Sequence, residues 1–127
     1  MKVATRQWVD RAEADYAAAV LLRHSRKKHS QDIAWFHFQQ CVEKYLKARL
    51  VEANIMFQRT HDLERLLDLA LPIEPLWAVF RPAVIALTDY AVESRYPGPS
   101  VTAVEVKTLQ RSTIRLRESM RFSLGLR

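Results

Sequence analysis

His37, Gln40, Cys41 and Lys44 stand at i, i+3, i+4 and i+7 in one uninterrupted run, a spacing that places all four on a single stripe of an α-helix. An imidazole, an amide, a thiol and an ammonium side by side can bind a ligand through hydrogen bonds and charge. They offer too few metal-ligating groups to form a metal site. The neighbouring stripe, Phe38, Cys41, Tyr45 and Ala48, is suited to packing, so one face of the helix is built to be buried. Two readings of the polar stripe stay open: it binds a ligand, or it is solvated and satisfies nearby helix ends.

Other candidate groups lie further along. Arg59, Thr60, His61 and Asp62 precede an apolar-periodic run. A helix amino terminus is an anion site, so His61 at N1 and Arg59 beside it can hold a phosphate, although His61 can equally well pack or bond locally. Asp62 reads as helix-end electrostatics. Arg95 and Tyr96 sit beside Pro97, Gly98 and Pro99, where the guanidinium either pairs with Glu93 and fixes Tyr96 or grips a phosphate in a fork while the phenol ring stacks. Arg23 and His29 are separated by five residues, but they belong to a Lys- and Arg-rich segment whose simpler meaning is a solvated basic loop. No P-loop, GxGxxG run or serine or cysteine nucleophile motif is present, and Cys41 has no second cysteine to pair with, so a buried, reduced thiol is expected.

The elements that must position these groups follow from composition and periodicity. The 127 residues are 49% hydrophobic and contain two glycines, which fits a single domain spanning residues 1–127, all-α, with one core and no structural metal. A first helix is expected from Thr5 to Leu22, with Trp8, Ala12, Tyr16, Ala19 and Leu22 inward and Asp10, Glu13 and Asp15 near its positive end. Ser30 caps a long second helix over Gln31 to Ala53, closed by Asn54 in a left-handed conformation. Thr60 caps a short third helix with Leu63, Leu66, Leu67 and Ala70 inward, stopped by Pro72. Pro82 forces a break near Arg81 in the fourth segment, Leu76 to Tyr90. The segment from Ser94 to Ser100 is irregular. Thr102 and Glu105 form a capping box for a last helix with Val106, Leu109, Thr113, Leu116 and Met120 inside, and the chain after Phe122 frays. Short inferred connections give an up-and-down bundle of about five helices.

The formal charge is +6, which suits an anionic partner. Beyond Ser100 there are six Lys or Arg against Glu105 and Glu118. Lys107, Arg111 and Arg115 form an i, i+4, i+8 row there, whose commoner meaning is a solvated face. No apolar run approaches a membrane span and the first residues carry no signal core, so a cytoplasmic protein is expected.

The runs Phe36-His37-Phe38-Gln39-Gln40 and Glu43-Lys44-Tyr45-Leu46-Lys47, then Thr60-His61-Asp62-Leu63 and Ser94-Arg95-Tyr96-Pro97, closely resemble the HEPN domain, a small helical family associated with nucleotide binding. The resemblance rests on three separated blocks in the family's order and covers Ile33 to Gly98. It implies a homodimer that binds a nucleotide or RNA phosphate through His37, Gln40, Lys44, Arg59, His61, Arg95 and Tyr96, needs no cofactor or metal, and works beside a minimal nucleotidyltransferase. Many branches of that family are metal-independent ribonucleases with an Arg followed four to six residues later by a His near the last helix. Here no histidine follows His61, so no catalytic residue is assigned. The alternatives are a ribonuclease toxin of a toxin–antitoxin pair and a non-catalytic dimerisation module.

Overall fold

The computed structural model describes residues 1–93 and 101–127, apart from the side chains of residues 89–93. Arg95 and Tyr96, and the irregular segment expected around them, lie outside the described residues. Five α-helices are described, with no strand: α1 (Val3–Arg23), α2 (Ser30–Glu52), α3 (Leu63–Ala70), α4 (Arg81–Glu93) and α5 (Ala103–Ser123), with a 3-10 segment over Pro75–Phe80 ahead of α4. The expected all-α bundle is present, and the break at Pro82 falls where expected, because a proline is tolerated in the first turn of the helix that restarts there.

Helix α2 is the central element. It packs against α1, α3, α4 and α5, and Phe38, Cys41, Tyr45, Leu46, Ala48 and Leu50 are fully buried along it. Burying each large apolar side chain contributes about 1.5–3 kcal/mol. Truncating one such as Leu46 to alanine costs about 2–5 kcal/mol. The wide apolar surface of α2 is therefore used within one chain.

Contacts fix the helix directions. Tyr16 of α1 meets Phe38 of α2 edge-on, ring centroids 6.3 Å apart, while Thr5 bonds Glu52 at 2.8 Å, so α1 and α2 are antiparallel. Val101 N–H donates to Asp32 at 2.8 Å and Arg49 donates to Ser123 at 2.7 Å, so α5 runs in the same sense as α2. All the buried apolar side chains form one cluster.

The helix ends show where local chemistry decides. Asn54 (φ 59) closes α2 through Ile55 N–H to Leu50 C=O at 2.9 Å and Asn54 N–H to Val51 C=O at 3.1 Å, a Schellman motif. The same motif closes α5 at Gly125 (φ 76), with Leu126 N–H bonded to Arg121 C=O at 2.7 Å. The tail is thus held, not frayed, and Leu124 and Leu126 pack on the core. The capping box forms as expected, Glu105 N–H to Thr102 Oγ1 and Thr102 N–H to Glu105 Oε1 both at 3.1 Å.

Two expected caps differ. Ser30 is the first residue of α2, and its hydroxyl donates to Ser25 Oγ at 3.0 Å; it fastens the preceding loop instead of capping. Asp62, not Thr60, caps α3 by accepting from Arg65 N–H at 3.2 Å, because a carboxylate makes the stronger, charge-assisted bond and complements the helix dipole. Thr60 instead accepts from Asp62 N–H at 3.0 Å, which leaves His61 just outside the helix and not at N1.

Candidate functional site

Three carboxylates organise the polar chemistry of the bundle, two from α1 and one from α2. Glu13 and Asp15 were expected to complement the amino end of α1, but that helix begins at Val3 and has no acid in its first turn. Both acids instead face α2 and α5, where cations meet them.

Glu13 receives a fork from Arg117 of α5, at 2.7 Å from Nε and 2.6 Å from Nη2. The buried Tyr45 hydroxyl also donates to it, and Arg121 reaches the same hydroxyl at 3.1 Å. Burial alone would raise the Glu13 pKa, yet the Arg117 and Tyr45 hydrogen bonds and the two guanidinium charges together hold it below the ordinary carboxylate value. Burial and the bond to Glu13 push the Tyr45 phenol upward. Arg117 also lies over the Tyr16 ring, 4.4 Å from its centroid, so this cluster ties α1, α2 and α5 together and exposes no free reactive group.

Asp15 closes the polar stripe of α2. His37 Nδ1 lies 2.7 Å from Asp15 Oδ1, and Lys44 Nζ donates to Oδ2. The two ends of the stripe thus converge on one carboxylate, with the fully buried Cys41 between them. Burial and then the charge of Glu13 push the Cys41 thiol well above its ordinary value, so it is a packing group. Gln40 is half-buried on the same stripe.

Glu43 makes the contrasting arrangement. Its carboxylate is deeply buried, the side chain 3% exposed, and it accepts from Lys47 at 3.1 Å, itself 7% exposed. Lys47 in turn sits over the Trp8 ring at 5.3 Å and the Phe57 ring at 5.9 Å. The second partner of Glu43 is His61, whose Nδ1 lies 3.0 and 3.2 Å from the two carboxylate oxygens. The His61 side chain is 77% exposed. An ionised carboxylate only accepts, so Nδ1–H is the donor and Nε2 faces outward; it accepts from solvent in the neutral ring and donates to a phosphate oxygen when the ring carries a second proton. Lys47 balances the charge of Glu43 behind the ring.

Arg59 is exposed two residues upstream of His61 and has no ion-pair partner among the described residues. A hollow of about 340 Å³ opens beside this segment, lined by Met56, Phe57, Gln58, Thr60, Arg65 and Leu69. Of the seven residues named from sequence, the structure joins His37 to Lys44 through Asp15 and places Arg59 and His61 on one exposed segment. Arg23 and His29 are not brought together: Arg23 Nη1 contacts the His24 ring at 2.9 Å, and His29 pairs with Asp32 at 3.6 Å. Among the described residues no group of three or more His, Cys, Asp or Glu is placed to hold a metal.

The anchoring residues Asp15, Glu43 and Lys47 were missed as site components. A signal exists for the last two: Glu43 and Lys47 are i, i+4 partners on a helix that is otherwise apolar over much of its circumference, where a charged pair must be mutually satisfied or bonded to something else.

The family model of the HEPN domain matches residues 5–122. No curated protein and no solved structure matches the chain.

Proposed function

The chain belongs to the HEPN domain family, and on that premise we propose that it is a nucleotide- or RNA-phosphate-binding accessory protein. Membership supports a nucleotide- or RNA-related function. The finer reading is ours: residues 1–127 form one unit that acts as a homodimer in the cytoplasm, beside a minimal nucleotidyltransferase whose carboxylates and metal supply the chemistry. No helix among the described residues is long and apolar enough to cross a membrane.

The observation that carries the reading is the mounting of His61. An exposed imidazole would ordinarily sample many rotamers, but here Nδ1 is tied to a carboxylate that is itself buried and paired with Lys47. The ring is pre-oriented with Nε2 outward, which lowers the ordering cost of binding. Arg59 supplies the forked donor that suits a phosphate, and the adjoining hollow, with Phe57 and Arg65 in its lining, has the volume of a small ligand pocket. Arg95 and Tyr96 complete the proposed set. His37 and Lys44 are already bonded to Asp15, so they and Gln40 beside them stay outside the set. No observation favours the ribonuclease reading, since Arg23 and His29 stand apart.

The homodimer is supported by an exposed apolar face: Leu76, Val79 and Phe122 are 86%, 74% and 84% exposed and line one wide groove of about 840 Å³. Light scattering at micromolar concentration should give a dimer mass that survives moderate salt, and a monomer mass contradicts this part of the proposal.

Calorimetric titration of ATP and a dinucleotide into wild type, Arg59→Ala and His61→Ala tests the site. Each variant should lose about 5- to 150-fold in affinity, the usual worth of one charged hydrogen-bonded contact. Absence of wild-type binding, or full affinity in both variants, overturns the site.

A further inference from the structure

Among the cations that no carboxylate meets in the described residues, two sets converge on one groove. Arg49, Arg81, Arg117 and Arg121, with Lys44 and Lys47, each meet a carboxylate. Arg26, Lys27 and Lys28 in the α1–α2 loop, and Lys107, Arg111 and Arg115 on α5, are all exposed and have no ion-pair partner among the described residues. The two sets meet through Arg26 and Lys107. A groove of about 380 Å³ is lined from one side by Arg23, His24, Arg26 and Gln31 and from the other by Val104 and Lys107.

The loop that carries half of these cations is fastened. Ser25 Oγ accepts from Lys27 N–H at 3.2 Å and from the Ser30 hydroxyl at 3.0 Å, and Gln31 Nε2 donates to Arg23 C=O at 2.9 Å. His29, in a left-handed conformation at φ 67, turns the chain sharply into α2. The α5 side is anchored too, through Val101 N–H on Asp32 and the capping box at Thr102. One groove-lining residue, Arg23, also has a buried Nε donor with no hydrogen-bond partner, a group that costs stability until something accepts from it.

We propose that this groove, continued along the Lys107–Arg111–Arg115 row, is a track for the phosphodiester backbone of a nucleic-acid strand. The inference takes from the proposed function only that the ligand carries phosphate, and it adds a second place, separate from Arg59 and His61. Residues four apart rise about 6 Å along a helix, so the row offers cations over about 12 Å. That is the axial length of roughly three to four steps of one duplex strand. A single small anion would be met by one cation of such a row; a chain of regularly spaced charges is met by all. The row lacks the aromatic and leucine-rich face that anchors a helix in a lipid interface, which favours a strand over a membrane.

The test is fluorescence anisotropy of a labelled short single-stranded RNA across a salt series, with wild type and the triple variant Lys107→Gln, Arg111→Gln, Arg115→Gln. All three side chains are exposed, so the variant should melt like wild type. Wild type should bind with a steep salt dependence, and the variant should lower the slope of log K against log salt by about 2, at about 0.7 per lost phosphate contact on a single strand. Arg26→Gln with Lys27→Gln should lower it again, whereas Arg6→Gln with Arg127→Gln, an equal loss of exposed charge away from the groove, should leave it unchanged, which separates the groove from a general effect of net charge. ATP affinity measured in parallel should be unchanged in every variant. An RNA slope equal in wild type and triple variant overturns the track while leaving the Arg59 and His61 site standing. Loss of ATP binding and RNA binding together in the triple variant also overturns it, because one shared site would then explain both. Vesicles of anionic lipid bound more tightly than RNA through the same three residues replace the strand with a membrane surface and overturn it as well.

Discussion

Asp15 and Glu43 each hold one histidine and one lysine, and the two clusters differ in what they leave outside. At Asp15 the carboxylate is the shallower, its side chain 11% exposed, and His37 and Lys44 cover it while remaining 26% and 22% exposed. At Glu43 the carboxylate and Lys47 are almost wholly buried, yet His61 is 77% exposed. The first arrangement closes on itself: both partners are spent on α1. The second is a mount, in which a buried ion pair fixes an imidazole that faces outward. Similar residue types therefore serve cohesion in one place and presentation in the other, and depth of the carboxylate is what separates them.

The sharpest way to break this comparison is to remove each lysine. Lys47→Met leaves Glu43 deprived of its buried partner, which typically costs about 3–5 kcal/mol. Lys44→Met leaves Asp15 bonded to His37 and nearer to water, and should cost on the order of 1–2 kcal/mol. Urea unfolding of the two variants measures both, and equal losses would dissolve the distinction.

A second prediction uses Glu13 as a reference carboxylate whose role is cohesion alone. Its pKa is lowered in the folded protein, so its stabilisation is fully present above the ordinary glutamate value of about 4.3 and is lost as pH falls through the lower folded value. Glu13→Gln should be less stable at neutral pH and should show a shallower loss of stability below about pH 4.3. A wild-type and variant pair with parallel stability curves through that range would contradict the cluster.

The paired carboxylate substitutions are compared through binding, since Glu43→Gln also leaves the buried Lys47 without its counter-charge and costs stability as Lys47→Met does. Glu43→Gln keeps the shape of the side chain while weakening the His61 mount, and should reduce nucleotide affinity by about tenfold, the worth of one charge-assisted hydrogen bond. Asp15→Asn should leave that affinity within about twofold, since its effect is confined to a cluster away from the ligand. The reverse ranking would move the binding site to the stripe of α2.

The smallest effect concerns Cys41, the residue under the closed cluster. Its thiol is fully buried and its thiolate disfavoured by burial and by Glu13, so a thiol reagent should fail to label native protein and should label it fully in denaturant. Rapid native labelling would show that the Asp15 side opens.

Much of this organisation was legible in the sequence, and the limits are physical. The inward faces of α3 and α5 followed from their periodicity, Asn54 and the Thr102–Glu105 box from known helix-end chemistry, and the break before α4 from Pro82. The polar stripe of α2 was found as a stripe, but spacing along one helix says nothing about which acid of another helix will face it. Hence Asp15 and Glu13 were read as helix-end charges. The cap at Thr60 was misassigned by two residues because Thr60 and Asp62 are both good caps and only the backbone path decides between them; that shift placed His61 at the helix start and hid its bond to Glu43. The tail was expected to fray because Gly125 was not seen as the left-handed residue that closes α5.

The central claim is that His61 presents Nε2 to a phosphate while Glu43 holds Nδ1. Histidine-labelled protein followed by ¹⁵N NMR during titration with ATP reads this directly. The expected result is a His61 that keeps its Nδ1 proton and whose Nε2 resonance moves to the protonated, hydrogen-bond-donating position as ATP is added, while the His37 signals stay in place, and the movement is lost in Glu43→Gln. If His61 Nε2 does not move at ATP concentrations that saturate any binding, or if His37 moves in its stead, the account of the site is wrong.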